Sequence, residues 1–155
     1  FILVGGLGFY ISKLELSKNI LTILLLLISS FIIFPKKEQN DEMWLKYEKN
    51  ILQEMIEKNN IVFVDVTADW CVTCKINKIS TLDKKQMRSF FKENNVKLFK
   101  ADWTNKNIEI QNYMKTFNKY GIPLNIVYGP KNKEGIVLGE LLSKKKIIEA
   151  INEVK

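Results

Sequence analysis

The sequence contains no histidine, only two cysteines and only three prolines among its 155 residues. Covalent haem attachment through C-x-x-C-H is excluded, because that motif requires a histidine. A structural zinc site needs four ligands, and two cysteines without histidine would need carboxylates or a second subunit to complete the set. We therefore predict no metal site, and the two thiols themselves become the candidates for chemistry.

Arginine is almost absent as well, since Arg88 is the one basic residue out of 24 that is not a lysine. Nucleic-acid-binding domains usually cluster arginine on one face, together with aromatic residues or a recognition helix. The lysines here are scattered among asparagine and isoleucine, although the net charge is +7. This distribution is typical of a solvated surface, and we predict no nucleic-acid partner.

Apolar residues are concentrated at the N-terminal end of the chain. Residues 20–34, ILTILLLLISSFIIF, carry no charge, and FILVGGLGFYI before them has the composition of the end of another span. At about 1.5 Å per residue the uncharged run is shorter than a ~30 Å hydrocarbon core, but snorkelling of Lys18 and the polar flanks would make up the difference. We predict a transmembrane helix or hairpin over residues 1–35, a linker at 36–41 and a separate domain at 42–155.

Two other interpretations of the apolar segment fit less well. A signal peptide would need a basic start and a small-x-small cleavage site, and SSFIIFPKK offers no good one. A soluble helix would show polar residues at every third or fourth position. Lysines flank the run on both sides, so the charge pattern does not decide which way the segment crosses the membrane.

The remaining residues alternate between helix and strand patterns. Strands are predicted at 61–66, 96–101, 124–129 and 136–142. Helices are predicted from Glu42 to about Lys58 after an Asp41 cap, after the cysteines with a second cap at Asp83, from Asn107 to Tyr120, and from Ser143. Trp44, Tyr47, Ile51, Met55 and Ile56 would form the apolar face of the first helix. Strands separated by helices require parallel crossovers, and the last two form a hairpin, so we predict an α/β fold with a mixed central sheet and helices on both faces.

Both cysteines lie in DVTADWCVTCK, residues 65–75, where a buried strand ends and a helix begins. Free amides and the dipole at a helix N-terminus lower the pKa of a thiol, so Cys71 is predicted to be an exposed thiolate. Cys74 follows one helical turn later, shielded but close enough to close a disulfide. A purely structural disulfide would gain little entropy from so short a loop. This placement favours a redox pair over two structural cysteines.

Other residues fit a redox site. Asp65 interrupts an apolar strand, and an acid buried there has a raised pKa and can exchange protons with Cys74. Trp70 is predicted to shape and shield the reactive face. A cis peptide bond between Ile122 and Pro123 would turn the backbone of Ile122 toward the dithiol and hold an incoming peptide.

VDVTADWCVTCK, KADWT and GIP, in this order and spacing, resemble the thioredoxin superfamily, and most closely the C-terminal domain of DsbD-type transmembrane thiol:disulfide interchange proteins. The resemblance implies a thioredoxin-like fold, with Cys71 attacking, Cys74 resolving, Asp65 as the buried acid and Pro123 as the cis-proline. It also implies a reductant on the periplasmic side of a bacterial inner membrane. Such a domain takes electrons from a membrane domain and passes them to periplasmic thiol-disulfide proteins, and no metal, flavin or nucleotide is needed.

Two departures from the family leave the direction of electron flow open. Val72-Thr73 replaces the Gly-Pro of thioredoxin, and Lys78 stands where some DsbD-type domains carry an acid. A disulfide oxidase or isomerase on the same fold is the first alternative. A membrane-tethered module that binds client proteins, with the cysteines incidental, is the second. Whether the partners include cytochrome c maturation proteins is also open.

Overall fold

The structure, a computed structural model, describes residues 42–155. The predicted membrane segment at 1–35, the linker at 36–41 and the Asp41 cap lie outside the described residues. Within 42–155, no helix combines the length and the apolar character that crossing a membrane requires. The strands are β1 (Trp44–Lys46), β2 (Val62–Thr67), β3 (Lys97–Asp102), β4 (Leu124–Gly129) and β5 (Asn132–Val137). The helices are α1 (Lys49–Glu57), α2 (Val72–Asn77), α3 (Lys85–Glu93), α4 (Ile108–Thr116) and α5 (Lys144–Val154), and a π-helical turn (Lys78–Leu82) joins α2 to α3.

The strands form one mixed sheet in the order β1-β3-β2-β4-β5. β3 is parallel to both β1 and β2, whereas β4 is antiparallel to β2 and to β5. The central strand β2 is buried along Val62–Val66, in agreement with its almost wholly apolar sequence. Its carboxyl end therefore points from the middle of the sheet toward the cysteines.

The sheet buries a different cluster of side chains on each face. On the α1/α4 face, Leu52 and Ile56 of α1 and Ile110 and Met114 of α4 pack against alternate residues of the central strands. On the α3/α5 face, side chains of the π-helical turn, α3 and α5 pack against the strand residues that alternate with those of the first face. The helical side chains are Leu82, Met87, Phe91, Ile147, Ala150, Ile151 and Val154. Helices on both faces of a mixed sheet confirm the predicted fold class.

The direction of β4 differs from the prediction of a parallel crossover. Thr67 pairs with Asp102 at the end of β3, and Val66 pairs with Leu124 at the start of β4. The chain between Asp102 and Leu124 thus leaves the sheet and re-enters it at the same end, where β2 and β3 finish. Because β4 starts at the end where β3 finishes, it must run in the opposite direction, so β4 is antiparallel.

The predicted first helix is wrong over residues 42–48, about two turns. Trp44–Lys46 forms a short edge strand on β3 instead, and Tyr47 N–H donates to Lys100 O at 2.9 Å. The helix begins at Lys49, whose backbone N–H donates to the Glu109 carboxylate at 3.2 Å. Leu52 and Ile56 supply its buried side, while Ile51 is 37% exposed. Pairing here satisfies backbone groups along the outer side of β3, which a further helical turn would have left without partners.

Two further boundaries also differ from the sequence prediction. Asp83 does not cap α3. The N-cap residue of α3 is Lys84, and this helix has no side-chain cap hydrogen bond. The last strand spans Asn132–Val137 rather than 136–142, because a tight turn lets it start earlier. The predicted start of the last helix is confirmed, with Ser143 accepting a hydrogen bond from Lys146 N–H at 3.3 Å.

Candidate functional site

Cys71 lies at the junction that the sequence predicted, four residues beyond the end of β2. It is the N-cap of α2, and its Sγ accepts a hydrogen bond from the backbone N–H of Cys74 at 3.1 Å. The extended backbone of Cys71 lets its sulfur turn back over the first helical turn. The same donor would stabilise negative charge on that sulfur after reduction.

Cys71 and Cys74 form a disulfide, with their Cα atoms 5.3 Å apart. Both are buried, at 6% and 4% exposure, so the prediction of an exposed Cys71 is wrong for this oxidised state. The reason is packing, because Cys71 and Cys74 form one buried cluster with Ala68, and the partly buried Ile122 packs against that cluster. In the oxidised state the disulfide is therefore largely shielded from solvent.

Ile122 and Pro123 are joined by a cis peptide bond immediately before β4. Ile122 packs against the buried cluster of Ala68, Cys71 and Cys74. The structure thus brings this segment, which lies about fifty residues away in the sequence, onto the dithiol. The predicted role of Ile122 and Pro123 in holding a partner peptide stays a prediction.

Trp70 stands beside Cys71 and is 58% exposed. Its Nε1 donates to Thr104 O at 3.2 Å, and its ring lies 6.1 Å from that of Trp103. Asp69 N–H donates to Thr104 Oγ1 at 2.9 Å. Trp70 is therefore a surface side chain anchored at one end, which suits contact with a partner better than it suits a core position.

Asp65 lies on the α3/α5 face, because side chains alternate along β2 and Phe63 belongs to that face. The pKa of Asp65 is raised to about 7, chiefly by burial; Lys100 and Lys78 oppose the rise, and the charge of Asp83 adds to it. A carboxyl that titrates near neutral pH can accept or release a proton during exchange. Its predicted role as the acid serving Cys74 stays a prediction.

Sequence reasoning used KADWT, residues 100–104, as a family motif but assigned no role to the loop that follows β3. Thr104 N–H and Thr104 Oγ1 both donate to Asp102 Oδ1, and Lys100 Nζ lies 3.0 Å from Asp102 Oδ2. Burial alone would raise the pKa of Asp102, but the hydrogen bonds from Thr104 and Lys100 lower it below its usual range. A signal existed in the sequence, since Ala-Asp-Trp occurs twice, at 68–70 and at 101–103.

An exposed apolar strip begins at Val72, next to Cys71, and continues along α2 into the π-helical turn. Val72, Ile76 and Ile79 are 70%, 49% and 69% exposed at helical spacing, and Leu141 is 63% exposed. Asn77 holds the nearby chain by donating to Glu140 O at 2.7 Å. The exposed surface of the helix that begins at Cys71 is thus apolar, which suits contact with another protein.

Comparison with known proteins defines the class of this fold and site. Residues 43–130 match the thioredoxin-like family, and the chain belongs to it. With its Cys71–Cys74 disulfide at the start of α2, it is a thioredoxin-like disulfide oxidoreductase.

Within that class, the chain is similar in sequence to the thiol:disulfide interchange protein DsbD. The thiol:disulfide interchange protein DsbD of Campylobacter jejuni is 28% identical over 103 residues, which are 66% of this chain and 18% of that protein. DsbD of Haemophilus influenzae is 30% identical over 76 residues, 49% of this chain and 13% of that protein. The chain thus spans less than a fifth of the curated relatives that it matches.

A solved structure gives the same result for the fold. The C-terminal domain of DsbD from Neisseria meningitidis in the reduced form has a TM-score of 0.54 and 21% sequence identity, covering 72% of this chain and 100% of that domain. The thioredoxin-like resemblance predicted from the C-x-x-C and G-I-P motifs is confirmed.

Proposed function

We propose that this chain is the thiol-exchanging end of a membrane-anchored protein-disulfide reductase. It takes electrons from a membrane domain, of the same or a partner protein, and passes them to disulfide-bonded proteins on the periplasmic side of a bacterial inner membrane. The Cys71–Cys74 disulfide at the N-terminus of α2 carries this proposal. Homology to DsbD supports the direction, and the apolar composition of residues 1–35 supports the anchor.

In the first step, the Cys71 thiolate of the reduced domain attacks one sulfur of the partner disulfide. A bond forms between Cys71 and that sulfur, and the other partner sulfur leaves as a thiolate. The amide of Cys74, 3.1 Å from Cys71 Sγ in the oxidised state, stabilises the attacking thiolate. Ile122 packs against the cysteine cluster, Pro123 follows it through the cis bond, and Trp70 precedes Cys71 in the chain; together they hold the partner chain during the attack.

In the second step, Cys74 releases the partner. Asp65 takes the proton from the Cys74 thiol, and the resulting thiolate attacks Cys71 Sγ. The bond between Cys71 and the partner breaks, the partner leaves as a thiolate, and the Cys71–Cys74 disulfide forms. The near-neutral pKa of Asp65, about 7, supports this role, since its carboxylate is then basic enough to accept a proton.

Two electrons and two protons then restore the dithiol. The membrane domain supplies these electrons by a further exchange, in which its own dithiol attacks the Cys71–Cys74 disulfide. The two sulfur atoms hold the electrons themselves, so the chemistry of this domain requires no metal, flavin or nucleotide.

The reduction potential of the Cys71–Cys74 pair tests the direction of transfer. The full chain is equilibrated with dithiothreitol or glutathione buffers, and free thiols are trapped and counted. We expect a value near that of thioredoxin, about −270 mV, or somewhat above it. A value near about −120 mV would make the domain an oxidase or isomerase.

The Cys71→Ser variant tests the need for the thiols. If the protein acts by thiol exchange, this variant should lose disulfide reduction completely and keep its fold. Retained function in Cys71→Ser would favour the client-binding module instead. Ser80→Ala, which changes an exposed residue of the π-helical turn, serves as a control that should keep full activity.

A further inference from the structure

Within residues 42–155, four polar side chains are buried: Asp65, Asn77, Thr81 and Asn125. Asn77 donates to Glu140 O and accepts from Leu142 N–H at 3.0 Å, and Thr81 donates to Leu142 O at 3.2 Å. These two side chains hold the segment between β5 and α5.

Asn125 has no such explanation. It is 1% exposed, and neither Nδ2 nor Oδ1 of its amide has a hydrogen-bond partner. A buried amide without partners is costly, and residues of this size with purely apolar side chains would fill the same space without that cost. Its presence in β4 therefore calls for a function that an apolar side chain lacks.

The sheet register places Asn125 directly opposite Asp65. The two residues are partners in the antiparallel pairing of β4 with β2. Both side chains lie on the α3/α5 face, since Phe63 and Val127, two residues away in each strand, belong to it. Directly opposed side chains have Cβ atoms about 4.5–5.5 Å apart, so rotation about side-chain bonds brings a carboxamide within hydrogen-bonding reach of a carboxyl group.

The chemistry of an amide suits a neighbour that gains and loses a proton. A carboxylate only accepts hydrogen bonds, whereas a protonated carboxyl also donates one. An amide offers both a donor and an acceptor. The charged groups near Asp65 are Lys100 on β3, Lys78 on the π-helical turn and Asp83 after it. Each of these charges favours one protonation state, and Asn125 is the neutral neighbour that can bond to either.

We propose that Asn125 is a positioning residue for Asp65, its amide N–H donating to the carboxylate and its amide oxygen accepting from the protonated carboxyl. This inference rests on the proposed function, in which Asp65 takes the proton of Cys74. In the ionised state Nδ2 steadies the carboxylate that is ready to accept. Once the proton has arrived, Oδ1 receives the new O–H, and the carboxyl remains oriented for its release.

The resolving step can be followed on its own in the full chain. Reaction of the reduced protein with Ellman's reagent places a thionitrobenzoate on Cys71, and attack by Cys74 then releases it as a coloured thiolate. The rate of this second release, measured by stopped flow between pH 5 and 9, gives the titration midpoint of the proton acceptor. The carbon-13 shift of the Asp65 carboxyl gives the same midpoint independently.

Asn125→Leu removes the amide and keeps a side chain of similar size. Losing a hydrogen bond to the carboxylate should raise both midpoints by about one pH unit, which lowers the release rate about tenfold below the midpoint. Asn125→Ser retains one group that donates and accepts, and its midpoint should fall between those of N125L and the natural sequence. If N125L does not fold, Asn125→Ala removes the amide without added bulk, and the same upward shift is expected.

Two controls separate positioning from packing. Val127→Ala creates a cavity on the same strand and face, and it should lower stability without moving either midpoint. In an Asp65→Asn background, Asn125→Leu should leave the release rate unchanged, because its effect acts through the carboxyl.

The outcomes distinguish this inference from the function on which it rests. Unchanged midpoints in N125L, or in N125A, would overturn the role of Asn125 alone. A release rate in Asp65→Asn that equals the natural one at every pH would overturn the role of Asp65 and, with it, that of Asn125. Loss of release in Asp65→Asn together with an upward shift in N125L supports both.

Discussion

Helices α1 and α4 cover one face of the sheet with aliphatic and aromatic side chains, whereas the α3/α5 face carries Lys100, Asp65 and Asn125 in one row across its three central strands. Tyrosines and Trp103 supply polar side-chain atoms on the α1/α4 face, and Tyr113 and Tyr128 hydrogen-bond through their hydroxyls at 2.7 Å. Burial and the charge of Glu109 raise the pKa of Tyr47 to about 12. That face is therefore uncharged near neutral pH.

The α3/α5 face, in contrast, carries a group that titrates near neutral pH, because the pKa of Asp65 is about 7. One sheet thus separates two tasks by the alternation of side chains along its strands. The α1/α4 face provides stability that does not vary near neutral pH. The α3/α5 face gives up some stability to bury an ionisable group, Asp65. Three variants test this division.

The largest effect is expected from a cavity on the α1/α4 face. Met114 is completely buried there, and Met114→Ala should lower the free energy of unfolding by about 2–5 kcal/mol, through lost apolar contacts and the cavity left behind. Denaturant unfolding measures the loss. The pH midpoint of the resolving step should not move, and a shift would contradict the separation of the faces. Met55→Ala, at a partly buried methionine of the same face, should cost less.

Asp65→Asn should stabilise the protein at alkaline pH. The carboxyl has a pKa of about 7 when folded and about 4 when unfolded, so the folded state retains its proton between these values. The stability that this carboxyl contributes is fully present below its unfolded pKa, falls as the pH rises, and levels off above about pH 7. The variant should therefore gain about 2–4 kcal/mol at pH 8 and little at pH 3.

Denaturant unfolding at the two pH values measures this gain, and the resolving step should slow in the same variant. Asp102→Asn is the matched control, because the lowered pKa of Asp102 gives the opposite sign. Asp102 contributes stability above its unfolded pKa that is lost as the pH falls, so this variant should lose stability at pH 8. A pH-independent effect of Asp65→Asn would contradict the burial of its charge.

The smallest effect is expected at the loop that supports Trp70. Thr104→Val removes the hydroxyl that accepts from Asp69 N–H and donates to Asp102. We expect a loss of about 1 kcal/mol in stability, and roughly a two- to fivefold slower attack by Cys71, because the strand-to-helix loop is less well held. Urea unfolding and the first release from Ellman's reagent measure the two effects. Thr116→Val, which removes a hydroxyl bonded to Tyr113 O far from the disulfide, should leave the attack rate unchanged.

Local signals predicted much of the site. Ser143 began its helix as expected because a cap acts within three residues, and the unbroken apolar run at 61–66 predicted the buried strand that holds Asp65. The spacing of Cys71 and Cys74 predicted a disulfide that the structure contains. The assignments of Asp65, Trp70, Ile122 and Pro123 to catalysis or partner binding remain predictions.

Other features depend on residues far apart in the sequence. Trp44–Lys46 became a strand only because the edge of β3 offered it partners, which no helix propensity reveals. The link from Thr104 to Asp69 and Trp70 joins two loops, each following its own strand. The opposition of Asn125 to Asp65 follows from β4 being antiparallel, contrary to the prediction from its helical connection.

The sequence by itself determined the chemistry of this protein, because two cysteines at a strand-to-helix junction and an acid in a buried strand restrict the reactions that the chain can perform. Tertiary structure decided the surroundings of those groups. It enclosed the disulfide beneath Ile122, set Lys100 and Asn125 on either side of Asp65, and placed the pKa of Asp65 near 7. The physical reason is that desolvation and charge act through space, and the distances that govern them exist only after the strands have paired.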